Sequence, residues 1–200
     1  NTKRRKNGIL ADTNQYHPHI FFCGPKSSGK TTLLYKTIIP DWMDITKYMC
    51  PSTGFHYEEF YRNGSLIGCW DVSGNEGVEN CWASFYRTVK MSGIVYVINT
   101  LNNQAEYIRK VKTQLIFLCT DGALRDACIA AILNTFDSRS VTDEYTFAYT
   151  KHLHDVKEIS KDKLRWYVVN VKNGQSDAEW CKALDFLLEF SNKTCCSTIQ

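Results

Sequence analysis

A glycine-rich segment near the start of the chain has the residue types and spacing of a phosphate-binding loop. Gly24–Thr31 reads GPKSSGKT and fits the pattern G-x-x-x-x-G-K-[ST]. Gly24 and Gly29 allow the backbone to turn and to direct N–H groups at phosphate oxygens. Lys30 is expected to contact the β- and γ-phosphates, and the Thr31 hydroxyl to coordinate Mg²⁺. The segment therefore predicts binding of a nucleoside di- or triphosphate, the alternative being a chance glycine–serine loop.

The elements on either side of the loop favour phosphate binding. The apolar run Ile20–Cys23 predicts a buried strand before the loop, and Thr31–Ile38 predicts a helix after it. A strand, loop and helix in this order are the usual context of the motif. Lys26 is either a second cation near the phosphates or a solvated loop lysine. The residues expected to contact the nucleotide here are Gly24, Lys26, Ser27, Ser28, Gly29, Lys30, Thr31 and Thr32.

The rest of the chain alternates buried strands with helices. Further apolar runs predict buried strands over Gly93–Asn99, Cys128–Leu133 and Trp166–Val169. Asn63-Gly64 lies between two β-like runs and predicts a hairpin turn. Ala178–Phe190 predicts a terminal amphipathic helix. The pattern indicates one α/β domain with a mostly parallel sheet.

Two polar segments at strand ends could complete a nucleotide site. Asp71 ends the second hairpin strand, where it could hold the Mg²⁺ shell through water, and Gly74 could offer its N–H to a γ-phosphate. Asn134 and Asp137 follow the strand Cys128–Leu133. The Asp137 carboxylate can accept the two neighbouring N–H donors of guanine, which adenine lacks, while Asn134 binds the other edge. The alternative is a strand-end turn that uses both side chains for local capping.

With these motifs the chain resembles the Arf/Arl (ADP-ribosylation factor-like) branch of the Ras-like small GTPases over about residues 18–191. The resemblance implies a P-loop NTPase fold, with a mostly parallel six-stranded sheet and helices on both faces. Ser52 stands where the family has its Mg²⁺-binding threonine. The aromatic trio that such proteins present to effectors corresponds to Phe55, Trp70 and Phe85, for which core packing is the alternative. The residues that carry the resemblance are Gly24–Thr32, Pro51–Phe55, Trp70–Asn75, Trp82, Phe85, Tyr86, Asn134–Asp137 and Trp166–Val168.

The chain also departs from the family pattern. Asn75 stands where the family's glutamine positions the attacking water, and its amide is one methylene shorter, so we expect slow GTP hydrolysis. Lys30, Gly74 and Asn75 are the expected catalytic residues. Thr135 replaces the lysine that packs along the base, which should weaken affinity. The last base-contacting loop should lie near residues 171–173, where the match is poor, and the segment 138–165 is a few residues longer than usual.

Composition limits the remaining possibilities. The net charge of +3 in 200 residues includes Lys3–Lys6, and without these four the 20 remaining basic residues face 21 acidic ones. This balance argues against nucleic-acid binding. Residues 1–17 are expected to form a basic flexible arm, either solvated or touching anionic lipid, and residues 192–200 a tail. The odd count of nine cysteines, several in apolar runs, favours a reducing, cytoplasmic setting.

The sequence thus leaves three functions to compare. The first is an Arf-like GTP/GDP switch, expected to be monomeric, with an exchange factor, a GTPase-activating protein and effectors as partners, in vesicle or ciliary trafficking and possible peripheral contact with membranes. The second is a guanine-nucleotide-binding scaffold that barely hydrolyses GTP, which Asn75 and Thr135 favour. A P-loop kinase or other ATPase is disfavoured by Asn134 and Asp137.

Overall fold

The computed structural model describes residues 17–39, 41–42, 54–136, 149, 151–154, 156 and 162–197, with side chains through Ser191. Six strands form one sheet in the order β2-β3-β1-β4-β5-β6, in which only β2 and β3 pair antiparallel. The strands are β1 His19–Cys23, β2 Phe55–Arg62, β3 Ser65–Val72, β4 Gly93–Asn99, β5 Cys128–Asn134 and β6 Leu164–Val169. The helices are α1 Lys30–Ile38, α2 Glu76–Glu79, α3 Trp82–Thr88, α4 Ala105–Thr120 and α5 Ala178–Ser197.

Alternation along β1 divides the core into two layers. Phe21 packs on one face of the sheet with Trp82 and Leu115, from α3 and α4. Its neighbour Phe22 packs on the other face with Leu33 and Trp180, from α1 and α5. Successive side chains of a strand point to opposite faces of the sheet. A strand that is apolar on both faces therefore needs helices to cover both faces of the sheet. The described part of the chain therefore has the α/β architecture that the sequence predicts.

The hairpin forms where Asn63-Gly64 predicts it. Asn63 has φ 52° and Gly64 φ 79°, and Arg62 pairs directly with Ser65. Two successive residues with positive φ make the tight turn whose twist suits antiparallel strands. The hairpin places β2 at the edge of the sheet and β3 beside β1.

Several boundaries differ from the sequence-based ones. The polar stretch after β3 contains the short helix α2, and α5 continues to Ser197, into the segment expected to be a tail. Residues 1–16 of the expected arm, and most of the lengthened segment 138–165, lie outside the described residues. None of the helices within the described ranges is long and apolar enough to cross a bilayer.

Candidate nucleotide-binding site

The phosphate loop lies between β1 and α1 and depends on its two glycines. Gly24 has φ 130°, and a Cβ there would lie 2.3 Å from the Val97 carbonyl oxygen of β4. Gly29 has φ 101°, and a Cβ there would lie 2.7 Å from the Asn134 amide nitrogen. Both backbone conformations are unfavourable for any residue other than glycine, and both positions lack space for a side chain. The two glycines thus allow the loop to pack against the ends of β4 and β5.

Lys30 folds back across the loop that precedes it. Its ammonium donates hydrogen bonds to the carbonyl oxygens of Gly24 and Pro25, both at 2.9 Å, and to Ser28 Oγ at 3.4 Å. Burial lowers the pKa of Lys30, and the nearby charge of Asp71 opposes that shift. A buried cation held inside a loop at a helix N-terminus is well placed to bind an anion.

Thr31 and Asp71 meet next to this lysine. The Thr31 hydroxyl donates a 2.6 Å hydrogen bond to Asp71 Oδ2, while Asp71 Oδ1 is buried without a hydrogen-bond partner. Burial raises the pKa of Asp71, although the Thr31 hydrogen bond and the Lys30 charge act against that shift. Buried carboxylate and hydroxyl oxygens are ligands that Mg²⁺ prefers, so this pair fits the predicted metal role. Ser52, the third expected ligand, lies outside the described residues.

The loop after β3 rests directly on the phosphate loop. A Cβ on Gly74 would lie 2.3 Å from the Gly24 carbonyl oxygen and 2.5 Å from the Lys26 amide nitrogen. Asn75 is half-buried and immediately precedes α2, and its backbone N–H donates to Ser73 Oγ at 3.2 Å. The structure therefore brings two of the expected catalytic residues, Gly74 and Asn75, to the edge of the phosphate loop.

Asn134 connects the end of β5 to the phosphate loop. Its amide nitrogen donates to the Ser28 carbonyl oxygen at 2.9 Å, and its side-chain oxygen accepts the Phe136 amide at 3.2 Å. The side chain is fully buried. Val171, after β6, is also near, with a methyl carbon 3.0 Å from where a Cβ on Gly29 would be. Asn134 thus supports the loop in this structure, while Asp137 lies outside the described residues.

The other loop residues face solvent to different degrees. Lys26 and Ser27 are exposed, and Ser27 has a positive φ of 59°. Ser28 is buried, and Thr32 is half-buried in the first turn of α1. The sequence allows Lys26 to be either a solvated lysine or a second cation for phosphate, and its exposed position is compatible with both.

The expected aromatic trio forms one continuous cluster. Phe55 lies with its ring centroid 5.7 Å from that of Trp70 and 5.1 Å from that of Phe85. Phe55 is 49% exposed, whereas Trp70 and Phe85 are half-buried against the core. Trp70 also donates from Nε1 to His19 Nδ1 at 3.2 Å. The trio therefore combines core packing with an accessible aromatic surface at the hairpin.

Comparison with known proteins agrees with this geometry. The model of the ADP-ribosylation factor family matches residues 8–189. The chain belongs to the ADP-ribosylation factor family. Its fold resembles the solved structure of the Arl6 BBS3 small GTPase from Trypanosoma brucei with the bound nucleotide analogue GppNp, with a TM-score of 0.70. The two are 14% identical, and the match covers 89% of this chain and 99% of that one, so this likeness concerns the fold.

Membership of the family gives the general function. Small GTPases of the ADP-ribosylation factor family bind guanine nucleotides with Mg²⁺, hydrolyse GTP and act as switches through regulators and effectors. Members are often associated peripherally with membranes. This chain has the Ras-like small GTPase fold of the family, a six-stranded and mostly parallel sheet.

Proposed function

We propose that this chain is a GTP/GDP switch with slow intrinsic hydrolysis. The observation that carries the proposal is the convergence of Lys30, the Thr31–Asp71 pair and Gly74 on the phosphate loop. Together they provide a buried cation, oxygen ligands for a hard metal ion and a backbone N–H for a terminal phosphate. Asn134, with Asp137, supplies the specificity for guanine.

Each residue then has a defined task. Lys30 binds the β- and γ-phosphates and stabilises the charge that develops as water attacks the γ-phosphorus in line. Thr31 and Asp71, with Ser52, hold Mg²⁺, which neutralises charge on the phosphate oxygens when bound. Gly74 donates its N–H to the γ-phosphate. Lys26 and Ser27 contact the phosphates from the exposed side, and the remaining loop residues complete the phosphate contacts.

Asn75 limits the rate in this proposal. Water must be held in line with the bond that breaks, and the asparagine amide reaches one methylene less far than glutamine would. Since an error of about 1 Å in position can cost about 10²-fold in rate, we expect hydrolysis well below that of a glutamine-containing member.

Partner binding is assigned to the cluster of Phe55, Trp70 and Phe85. The segments on either side of the hairpin contain Ser52 and Gly74, so the γ-phosphate can order both and loss of it can release both. Effectors would bind the loaded form, and an exchange factor and a GTPase-activating protein would change the nucleotide. We place this monomeric switch in the cytoplasm or peripherally on membranes, in vesicle or ciliary trafficking.

Single-turnover hydrolysis tests this function. The protein is loaded with GTP and Mg²⁺, and phosphate release is followed over hours, alongside the Asn75→Gln variant. Slow but measurable release that is faster in the variant supports the proposal. A second candidate, a guanine-nucleotide-binding scaffold, is favoured by Asn75 and Thr135, and it predicts bound GTP that persists in both proteins.

A further inference from the structure

An ion pair with a largely buried carboxylate joins α2 to α4 beside the phosphate loop. Glu79 Oε2 lies 2.8 Å from Lys110 Nζ, with side-chain exposures of 8% and 33%. Glu79 is in the helix that follows Gly74 and Asn75, whereas Lys110 is in a long helix of the domain. The pair therefore links the helix that follows the Gly74 loop to α4.

The Glu79 carboxylate is unusual because only one of its oxygens is paired. Glu79 Oε1 is buried without a hydrogen-bond partner, and the only other such side-chain atom in the described ranges is Asp71 Oδ1. The charge of Glu79 also acts on Cys23, at the end of β1, and on Lys30. Burying a carboxylate in this way is costly unless a cation compensates it. Lys110 supplies that cation, so α2 depends on the pair for its present position.

Backbone contacts extend this dependence to the loop itself. The backbone N–H groups of Val78 and Glu79 both donate to the backbone carbonyl oxygen of Asn75 at 2.9 Å. Gly74, one residue earlier, is in close contact with the phosphate loop. A helix of four residues has little stability of its own. If the pair breaks, α2 loses its ion-pair link to α4.

We propose that Glu79 and Lys110 are positioning residues that hold Gly74 where it retains a terminal phosphate. The inference rests on the proposed function, since Gly74 contacts only the γ-phosphate in that account. Loss of the pair should therefore weaken retention of a nucleoside triphosphate and leave a diphosphate, which Lys30 and the phosphate loop hold, nearly unchanged. A purely structural role would affect both nucleotides equally.

The test uses the whole chain with Glu79→Gln, Lys110→Met and the charge-swapped double variant Glu79→Lys with Lys110→Glu. Dissociation of fluorescently labelled GppNp and of labelled GDP is measured by stopped flow with excess unlabelled nucleotide. Each single variant should release GppNp about tenfold faster or more, and GDP less than about threefold faster. The charge swap should restore GppNp release to within about threefold of wild type.

A matched control breaks an exposed pair by the same chemical change. Glu179 and Lys182 in α5 are 2.6 Å apart, with exposures of 43% and 68%. Glu179→Gln should leave both dissociation rates unchanged because exposed pairs contribute little. The proposal would be overturned if Glu79→Gln and Lys110→Met accelerated the dissociation of GppNp and of GDP equally. It would also be overturned if the charge-swapped variant folded but did not restore GppNp dissociation.

Hydrogen exchange separates this inference from the proposed function. In protein without added nucleotide, the amides of Val78 and Glu79 should exchange about tenfold faster or more in Glu79→Gln than in wild type. Unchanged exchange overturns the role of the pair even if the charge swap does not fold. Normal GDP binding with fast α2 exchange but unaltered GppNp release would refute the inference and leave the nucleotide site intact. Failure to bind either nucleotide would refute the proposed function instead.

Discussion

Replacing Gly74 with alanine tests the close contact between the two loops. The new Cβ would lie 2.3 Å from the Gly24 carbonyl oxygen and 2.5 Å from the Lys26 amide nitrogen, whereas ordinary contact begins at 3.4 Å. Both obstructing atoms belong to the backbone, so no side-chain rotation can relieve the overlap. The loop must therefore move by about 1 Å, an error that can lower the rate of a positioned reaction about 10²-fold.

The assay compares Gly74→Ala with wild type in single-turnover GTP hydrolysis and in GppNp and GDP affinity. We expect hydrolysis to fall about 10²-fold and GppNp affinity to fall with it, while GDP affinity stays close to wild type. Gly77→Ala is the matched control, because Gly77 lies in α2 and a Cβ there would meet nothing within 4 Å. Alanine should also favour that helix by about 1 kcal/mol.

Two results would refute this reasoning. Wild-type hydrolysis and GppNp affinity in Gly74→Ala would show that the contact between the loops does not position the terminal phosphate. An equal loss in Gly77→Ala would show that any change in this segment has the same effect. Thermal unfolding of each variant shows whether a loss of activity is merely a loss of folded protein.

Three further predictions concern neighbouring groups. Asn75→Gln should raise single-turnover hydrolysis on the order of tenfold, and an unchanged rate would mean that water positioning is not limiting. Lys30→Ala should weaken GDP binding about 10²-fold or more, measured by calorimetry, because the buried cation is lost; tight binding would contradict the phosphate-loop assignment. Asp71→Asn should abolish the Mg²⁺ dependence of nucleotide affinity and raise the melting temperature of nucleotide-free protein at pH 7. Because burial raises the pKa of Asp71, its ionisation destabilises the folded protein, so the gain should shrink as pH falls toward the ordinary pKa of 3.8; a gain independent of pH would contradict this cause.

Local patterns in the sequence predicted the features that depend on neighbouring residues. The phosphate loop, the hairpin at Asn63-Gly64 and the buried strands around Ile94 and Ile129 all follow from short motifs or apolar runs. The family resemblance, which rests on such motifs in order, is confirmed by the match to residues 8–189. Fold class was therefore accessible from the motifs and apolar runs, and the six-stranded, mostly parallel sheet through the family resemblance, whereas the strand order came from the structure.

Contacts between segments that are far apart in the sequence could not be predicted from local sequence patterns. The binding of Asn134 to an edge of guanine stays a prediction, and nothing in the sequence indicated that its side-chain amide would also donate to the Ser28 carbonyl oxygen, 106 residues earlier. The meeting of Gly74 with the Gly24 carbonyl, and of Glu79 with Lys110, depends on how two loops and two helices pack. No local pattern specifies such pairings, since each requires the register and separation of whole elements.

The central claim is that this site takes a guanine nucleotide and uses Mg²⁺. The most direct measurement is to denature the purified protein, identify the released nucleotide, and then compare the affinities of GDP, GTP and ADP with and without Mg²⁺. The account predicts bound guanine nucleotide, a preference for guanine over adenine of about 10²-fold or more, and weaker binding when the metal is removed. Bound adenine nucleotide, or equal affinity for GDP and ADP, would contradict it.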